Sequence, residues 1–149
     1  MKFWDSSAII PLCLKEPASE AVQKLAEKDE DLVVWWATRV ECISAMARRR
    51  REGGLAIQAE RQARAALTAL AEEWSEVQPA ELVRYRAERL LMVHSLRAAD
   101  ALQLAAALIW TEEATSGAEF VCLDQNLREA ALKEGFTVLP SSLLLQISP

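Results

Sequence analysis

The sequence predicts an α/β domain in which helices cover a central, mainly parallel sheet. Three observations carry this. Strand-like runs alternate with helical ones along the whole chain. The strand runs are unbroken apolar stretches such as Leu32-Val33-Val34-Trp35-Trp36, as a strand buried on both faces requires. Composition is that of a packed domain: of 149 residues 52% are hydrophobic and 26% charged, with only 4 Gly and 5 Pro. Disorder, collagen-like repeats and a loop-rich secreted scaffold are thereby excluded. The length fits a single domain over residues 1–149.

Lys2–Trp4 reads as a short strand ended by Asp5 and two serines. Ser6–Leu14 follows as a helix stopped near Pro17, with Pro11 confined to its first turns. Ala18, Ala21, Val22, Leu25 and Ala26 recur at helical spacing and predict a helix over Pro17–Lys28. Leu32–Trp36 is the second strand, with both tryptophans expected in the core unless one faces a partner surface. Thr38 opens a helix that reaches Arg51, where Gly53 and Gly54 end it. Leu55–Trp74 is a long helix, and Glu76–Gln78 a weakly signalled strand. Pro79–His94 is helical, and a further helix restarts near Ser95 and runs to Trp110. Glu119–Leu123 is a clear strand. Gln125–Glu134 is a helix stopped by Gly135, and Thr137–Leu139 a last strand.

Lys and Arg number 17 against 22 Asp and Glu, a net charge of −5, which argues against a protein whose whole surface coats DNA. Cys13, Cys42 and Cys122 form no CxxC pair and read as reduced thiols. The N-terminal residues lack the pattern of a signal peptide, and the longest apolar stretch, Leu104–Trp110, is too short to span a bilayer. A cytoplasmic protein is expected.

In a parallel sheet crossed by helices, each strand's carboxyl end and the next helix's amino end share one edge, where ligand sites gather. Asp5 directly follows the first strand and Asp124 the run Phe120-Val121-Cys122-Leu123. Glu41 falls in the first turn after the second strand, and Asp100 near the start of the helix beginning around Ser95. Each acid also has a structural explanation. Thr38-Arg39-Val40-Glu41 fits a capping box, Asp5 and Asp124 fit helix caps, and Arg97 offers Asp100 an ion pair. Asp100 lies in a helix apolar almost all round, where an unpartnered carboxylate is costly.

Carboxylates crowded together need a cation or must hold protons. Oxygen ligands favour Mg²⁺ or Mn²⁺ over zinc, and such sites suit phosphate chemistry. Competing mechanisms lack their parts. There is one histidine, His94, read as structural, and no GxSxG, GxxxxGK[ST] or GxGxxG motif.

Four strings taken together resemble the PIN domain family, and within it the VapC-type toxins of toxin–antitoxin pairs. They are Phe3-Trp4-Asp5-Ser6-Ser7-Ala8, Val40-Glu41-Cys42, Leu96 through Ala105 around Asp100, and Phe120-Val121-Cys122-Leu123-Asp124. The resemblance covers nearly the whole chain. It implies a three-layer sandwich with a mainly parallel sheet of about four or five strands and a Mg²⁺- or Mn²⁺-dependent endoribonuclease. It also implies an acidic cluster of Asp5, Glu41, Asp100 and Asp124, serving as metal ligands and catalytic residues, with Ser6 or Ser7 supporting Asp5. An antitoxin partner, a homodimer and an RNA substrate are implied as well.

Two positions depart from the family pattern: Gln103 stands where histidine is common, and Cys122 where Thr or Ser often precedes the last acid by two. The second loses a hydroxyl that could orient water. The run Arg48-Arg49-Arg50-Arg51 offers a path for an RNA backbone, set against the ordinary complement of a helix C-terminus by solvated cations. Two other classes stay open at this level: a module binding metal for structure alone, and an RNA-processing nuclease without a toxin role.

Overall fold

The computed structural model describes residues 1–142. Its strands are β1 (Lys2–Trp4), β2 (Leu32–Trp35), β3 (Ser75–Val77), β4 (Glu119–Val121) and β5 (Thr137–Leu139). They form one sheet in the order β3-β2-β1-β4-β5, and every neighbouring pair is parallel. The helices are α1 (Ser6–Cys13), α2 (Ser19–Glu27), α3 (Thr38–Arg51), α4 (Ile57–Glu73), α5 (Glu81–Val93), α6 (Ala98–Trp110) and α7 (Gln125–Lys133). The α/β sandwich expected from the sequence is the architecture observed.

The strands sort their side chains by parity, and that sorting makes the three layers. Phe3, Val33, Trp35, Phe120 and Val138 face α5, α6 and α7. Trp4, Val34 and Val121 face the other way, onto α1, α2, α3 and α4. Phe3 and Phe120 stack at a centroid distance of 5.4 Å across neighbouring strands, an arrangement that adds to their area burial. The innermost helix, α6, buries Ala101, Ala105, Ala106 and Ala107 with Leu104 and Leu108. Small side chains there let the helix lie close on the sheet.

From β1 the chain steps outward through β2 to β3, then returns to add β4 and β5 on the other side. The direction of strand order therefore reverses between β1 and β4. The Asp5 amide donates to the Val121 carbonyl at 2.9 Å as a last rung between them. Beyond that rung the two following helices part, α1 to one face of the sheet and α7 to the other. A crevice opens where they part, as doubly wound sheets provide for ligands.

Several expectations are corrected in detail. The second helix starts at Ser19 rather than Pro17, because the Glu16–Ser19 turn closes first, with the Ser19 amide donating to the Glu16 carbonyl at 3.0 Å. The fourth begins at Ile57 rather than Leu55, and the third strand is Ser75–Val77 rather than Glu76–Gln78. α6 begins at Ala98, since Arg97 is extended and serves as its cap position. Trp35 is core, but Trp36 lies beyond the strand and is 50% exposed. The Trp36 amide still donates to the Val77 carbonyl at 3.0 Å, but the chain turns into α3 directly after it and the side chain stays at the sheet's edge in solvent.

Gly135 ends α7 at φ +102°, with its own amide reaching Leu132 and the Phe136 amide reaching Ala131. A Cβ there would strike the Thr115 hydroxyl, which donates to the Glu134 carbonyl at 2.7 Å. Gly135→Ala is expected to lower stability by about 1–3 kcal/mol. Urea unfolding should show this as a lower midpoint at unchanged m value.

Candidate active site

Four helices begin around the crevice, and each brings one of the four acids in its cap position or first turn. The partial positive charge of a helix amino end favours a carboxylate there. Asp5, buried to 3% exposure, caps α1. Its Oδ2 accepts from the Ser7 amide at 3.1 Å and from the Cys122 thiol at 3.7 Å. The Ser7 hydroxyl accepts from the Leu123 amide at 2.9 Å, tying the β1 and β4 exits together. Asp124 caps α7, its Oδ1 accepting from the Leu127 amide at 3.0 Å. The helix-cap readings of Asp5 and Asp124 are thus both realised.

Glu41 is not part of a capping box. Ala37, not Thr38, occupies the cap position, so Glu41 sits one residue too deep to reach back. Its Oε2 instead accepts from Gln103 Nε2 at 2.8 Å. Asp100 is the third residue of α6, and among the described residues no ion pair links it to Arg97. In Asp5, Glu41 and Asp124 one carboxylate oxygen is engaged by protein donors and the other has none among the described residues.

All four acids line one cleft of about 850 Å³, together with Ser6, Ser7, Ser44, Ser95, Asn126, Arg48 and Arg97. Burial pushes Glu41 from the usual 4.5 up to about 7, with Asp5 and Asp100 adding repulsion. Asp100 rises from 3.8 to about 6, again chiefly through burial, then through Asp124 and Asp5; Arg97 offsets only part. Asp5 is raised by burial and by Asp124, against the lowering bonds from Ser7 and Cys122. Each acid therefore lies close enough to feel others.

Among the described residues no three His, Cys, Asp or Glu side chains already enclose a cation position. A hydrated hard cation does not need such a cage, because Mg²⁺ keeps several waters and takes one or two carboxylates. The donor set fits one: all oxygen, with unengaged oxygens on three acids and a surplus of negative charge. The thiol of Cys122, held protonated by burial, faces Asp5 as a weak donor rather than as a soft ligand.

A sequence profile of the PIN domain matches residues 2–133. The chain belongs to the PIN domain family. PIN domains are in general nucleases that use divalent metals. Three solved structures share the fold. A toxin–antitoxin complex from Klebsiella pneumoniae is 17% identical at a TM-score of 0.60, covering 92% of this chain and 97% of its own. PAE2754 from Pyrobaculum aerophilum is 18% identical at 0.65, covering 97% and 93%. FitAcB from Neisseria gonorrhoeae is 16% identical at 0.63, covering 95% and 98%. No curated protein matches the sequence.

In this PIN domain the four-arginine run does not act as a unit. Helical spacing turns Arg49 to an ion pair with Glu16 and Arg50 to one with Glu60, and of the four only Arg48 lines the cleft. His94 is structural as expected, with Nε2 at 2.6 Å from Glu134 Oε2 and away from the cleft lining. Sequence reasoning missed Asn126 and Ser44 as cleft residues. Their signal was positional: Asn126 lies two after a helix cap, and Ser44 three after Glu41 on the same helix face.

Glu41 and Asp100 bind protons more tightly folded than unfolded, so the cluster costs stability as pH rises from about 4 to about 7 and the full cost persists above. Glu41→Gln removes one such charge. It is expected to raise Tm by roughly 2–8 °C at pH 8 and to have little effect near pH 4.5. A melting series across that range checks the sign.

Proposed function

We propose that this PIN domain is a metal-dependent endoribonuclease acting as the toxin of a type II toxin–antitoxin pair. The observation that carries the nuclease reading is the sharing of one cleft by Asp5, Glu41, Asp100 and Asp124, each from a different helix start at the point where the sheet reverses. A cytoplasmic setting rests on the pattern of the N-terminal residues. The RNA substrate and the toxin role rest on the resemblance to VapC-type toxins, with the fold shared with a toxin–antitoxin complex as support. So do an antitoxin partner and a homodimer.

Asp5, Glu41 and Asp100 would hold Mg²⁺ or Mn²⁺, with Asp124 completing the site. A cation bound there supplies acidification of water and neutralisation of phosphoryl charge. The protein's own part is to orient and to exclude. Ser7 and Cys122 fix one oxygen of Asp5, and the α7 amino end fixes one of Asp124. In the hydrolysis such a site would serve, a water oxygen would bond to phosphorus in line as the P–O3′ bond breaks, with one water proton passing to a cleft carboxylate and a proton delivered to the leaving 3′ oxygen. The products carry 5′-phosphate and 3′-hydroxyl ends.

Arg48 and Arg97 are the two cations lining the cleft, and neither forms an ion pair among the described residues. They are free to take phosphates of the strand on either side of the acids.

Asp100→Asn is expected to reduce Mg²⁺-dependent RNA cleavage by at least about 100-fold, with a Tm at neutral pH equal to or above that of the wild type, since it removes one of the crowded charges. Gel analysis of tRNA and rRNA with and without Mg²⁺ checks it, and wild-type rates in the variant would sink the assignment. Arg48→Gln and Arg97→Gln should each weaken RNA binding and flatten the log–log salt dependence by about 0.7. Filter binding at several salt concentrations measures that slope. Expression of the wild type without a partner should arrest growth where Asp100→Asn does not; growth unaffected by active enzyme would favour an RNA-processing role instead.

A further inference from the structure

We infer that Gln103 is a positioning residue whose buried amide grips one oxygen of Glu41 and leaves the other facing the acidic cleft. The inference rests on the metal-dependent reading of that cleft. Gln103 has no exposed surface, yet it lies on α6 only three residues after Asp100, on the same helix face. Its Nε2 donates to Glu41 Oε2 at 2.8 Å and to Thr38 Oγ1 at 2.9 Å. Both acceptors belong to α3. The amide thus couples the two helices that carry Glu41 and Asp100.

The opposite end of the same amide explains why packing alone does not call for it. Gln103 Oε1 is buried and has no partner among the described residues. Buried polar atoms are rarely left so, because nothing replaces the water they lose. Turned over, the amide would set Oε1 against the Glu41 carboxylate and lose both donated bonds. The orientation seen is the one a carboxylate selects, since a donor to a charged oxygen is worth more than one between neutral groups. A methionine would fill the same length and volume and leave no acceptor stranded.

Glutamate has several rotatable bonds, and holding it in one rotamer loses side-chain entropy. Gln103 removes that freedom before any ligand arrives. Asp5 and Asp124 have one oxygen fixed by backbone amides at helix caps. Glu41 sits too deep in its helix for a cap bond. Gln103 supplies from α6 what the local backbone supplies to the other two. Outer partners of this kind typically change metal affinity or activity by about 10–100-fold.

The test compares wild type, Gln103→Met and Thr38→Val as intact proteins. Mn²⁺ binding is followed by calorimetry without RNA, and cleavage is measured at saturating metal. Gln103→Met should keep Tm within about 3 °C of wild type while its Mn²⁺ affinity falls about 10–100-fold. Its kcat should fall with KM for RNA nearly unchanged, since the strand's own contacts remain. Thr38→Val, which loosens Gln103 without touching Glu41, should weaken Mn²⁺ binding in the same direction by a smaller factor.

A folded Gln103→Met with wild-type Mn²⁺ affinity and kcat overturns the inference, as does a change confined to KM. Should Gln103→Met fail to fold, Thr38→Val decides, and unchanged Mn²⁺ affinity there overturns it. Wild-type protein that binds no Mn²⁺ defeats the metal reading of the cleft, and the inference with it. Binding by wild type with no response in a folded variant defeats the inference alone.

Discussion

Four carboxylates share a cleft that, among the described residues, is lined by two arginines, and the rest of the architecture works to keep that unbalanced charge in place. Left to themselves such groups would turn outward into water or hold protons. Burial and mutual repulsion do raise Asp5, Glu41 and Asp100. What opposes this is backbone: four helix amino ends surround the cleft, each placing its partial positive charge behind one acid. The sheet makes that convergence possible. Because its strand order reverses between β1 and β4, the helices after those strands leave on opposite faces and their amino ends stay together at the split.

The packing of α6 links this edge to the core. Its alanines bring the helix close to the sheet, so that its first turn reaches the crevice beside Asp5 and Asp124 while its middle is sealed from water. Asp100 and Gln103 stand one turn apart on that helix, one in the cleft and the other fully enclosed. A larger residue in place of Ala101 or Ala105 would lift the helix from the sheet and carry both polar groups out of register. The small side chains serve the geometry of the site as much as the core.

The fold class was legible because strands buried on both faces have an unmistakable apolar signature, and Leu32–Trp35 and Glu119–Val121 carry it. Asp5 and Asp124 were legible for a related reason, each following a strand and opening a helix. Glu41 was harder to read. Its capping-box pattern was plausible locally and failed because the helix starts one residue earlier than Thr38 implies as a cap, a difference set by the turn after Trp35. Trp36 failed likewise: an apolar run does not say where the strand gives way to the next turn. The arginine run read as one patch in sequence, yet helical rotation of about 100° per residue disperses it. Gln103 stood out only as a departure from the family pattern, because its role depends on contact with residues more than sixty positions away.

Stability and, in the proposed function, reactivity are divided here by atom rather than by residue. Asp5 Oδ2, Asp124 Oδ1 and Glu41 Oε2 each accept bonds that hold a helix end or join two helices. An Asp or Asn at such a cap contributes on the order of 1 kcal/mol, which offsets part of the repulsion that the unengaged oxygens create. The engaged oxygen also fixes the direction of the free one, so the cost of ordering the side chain is met during folding and not on ligand binding. A carboxylate used only as a cap would gain nothing from being crowded by three others, and one used only as a ligand would be too mobile to hold a hydrated cation in a defined place. In the proposed metal site the two roles would meet in the same side chains, and that would distinguish this cleft from a merely acidic surface.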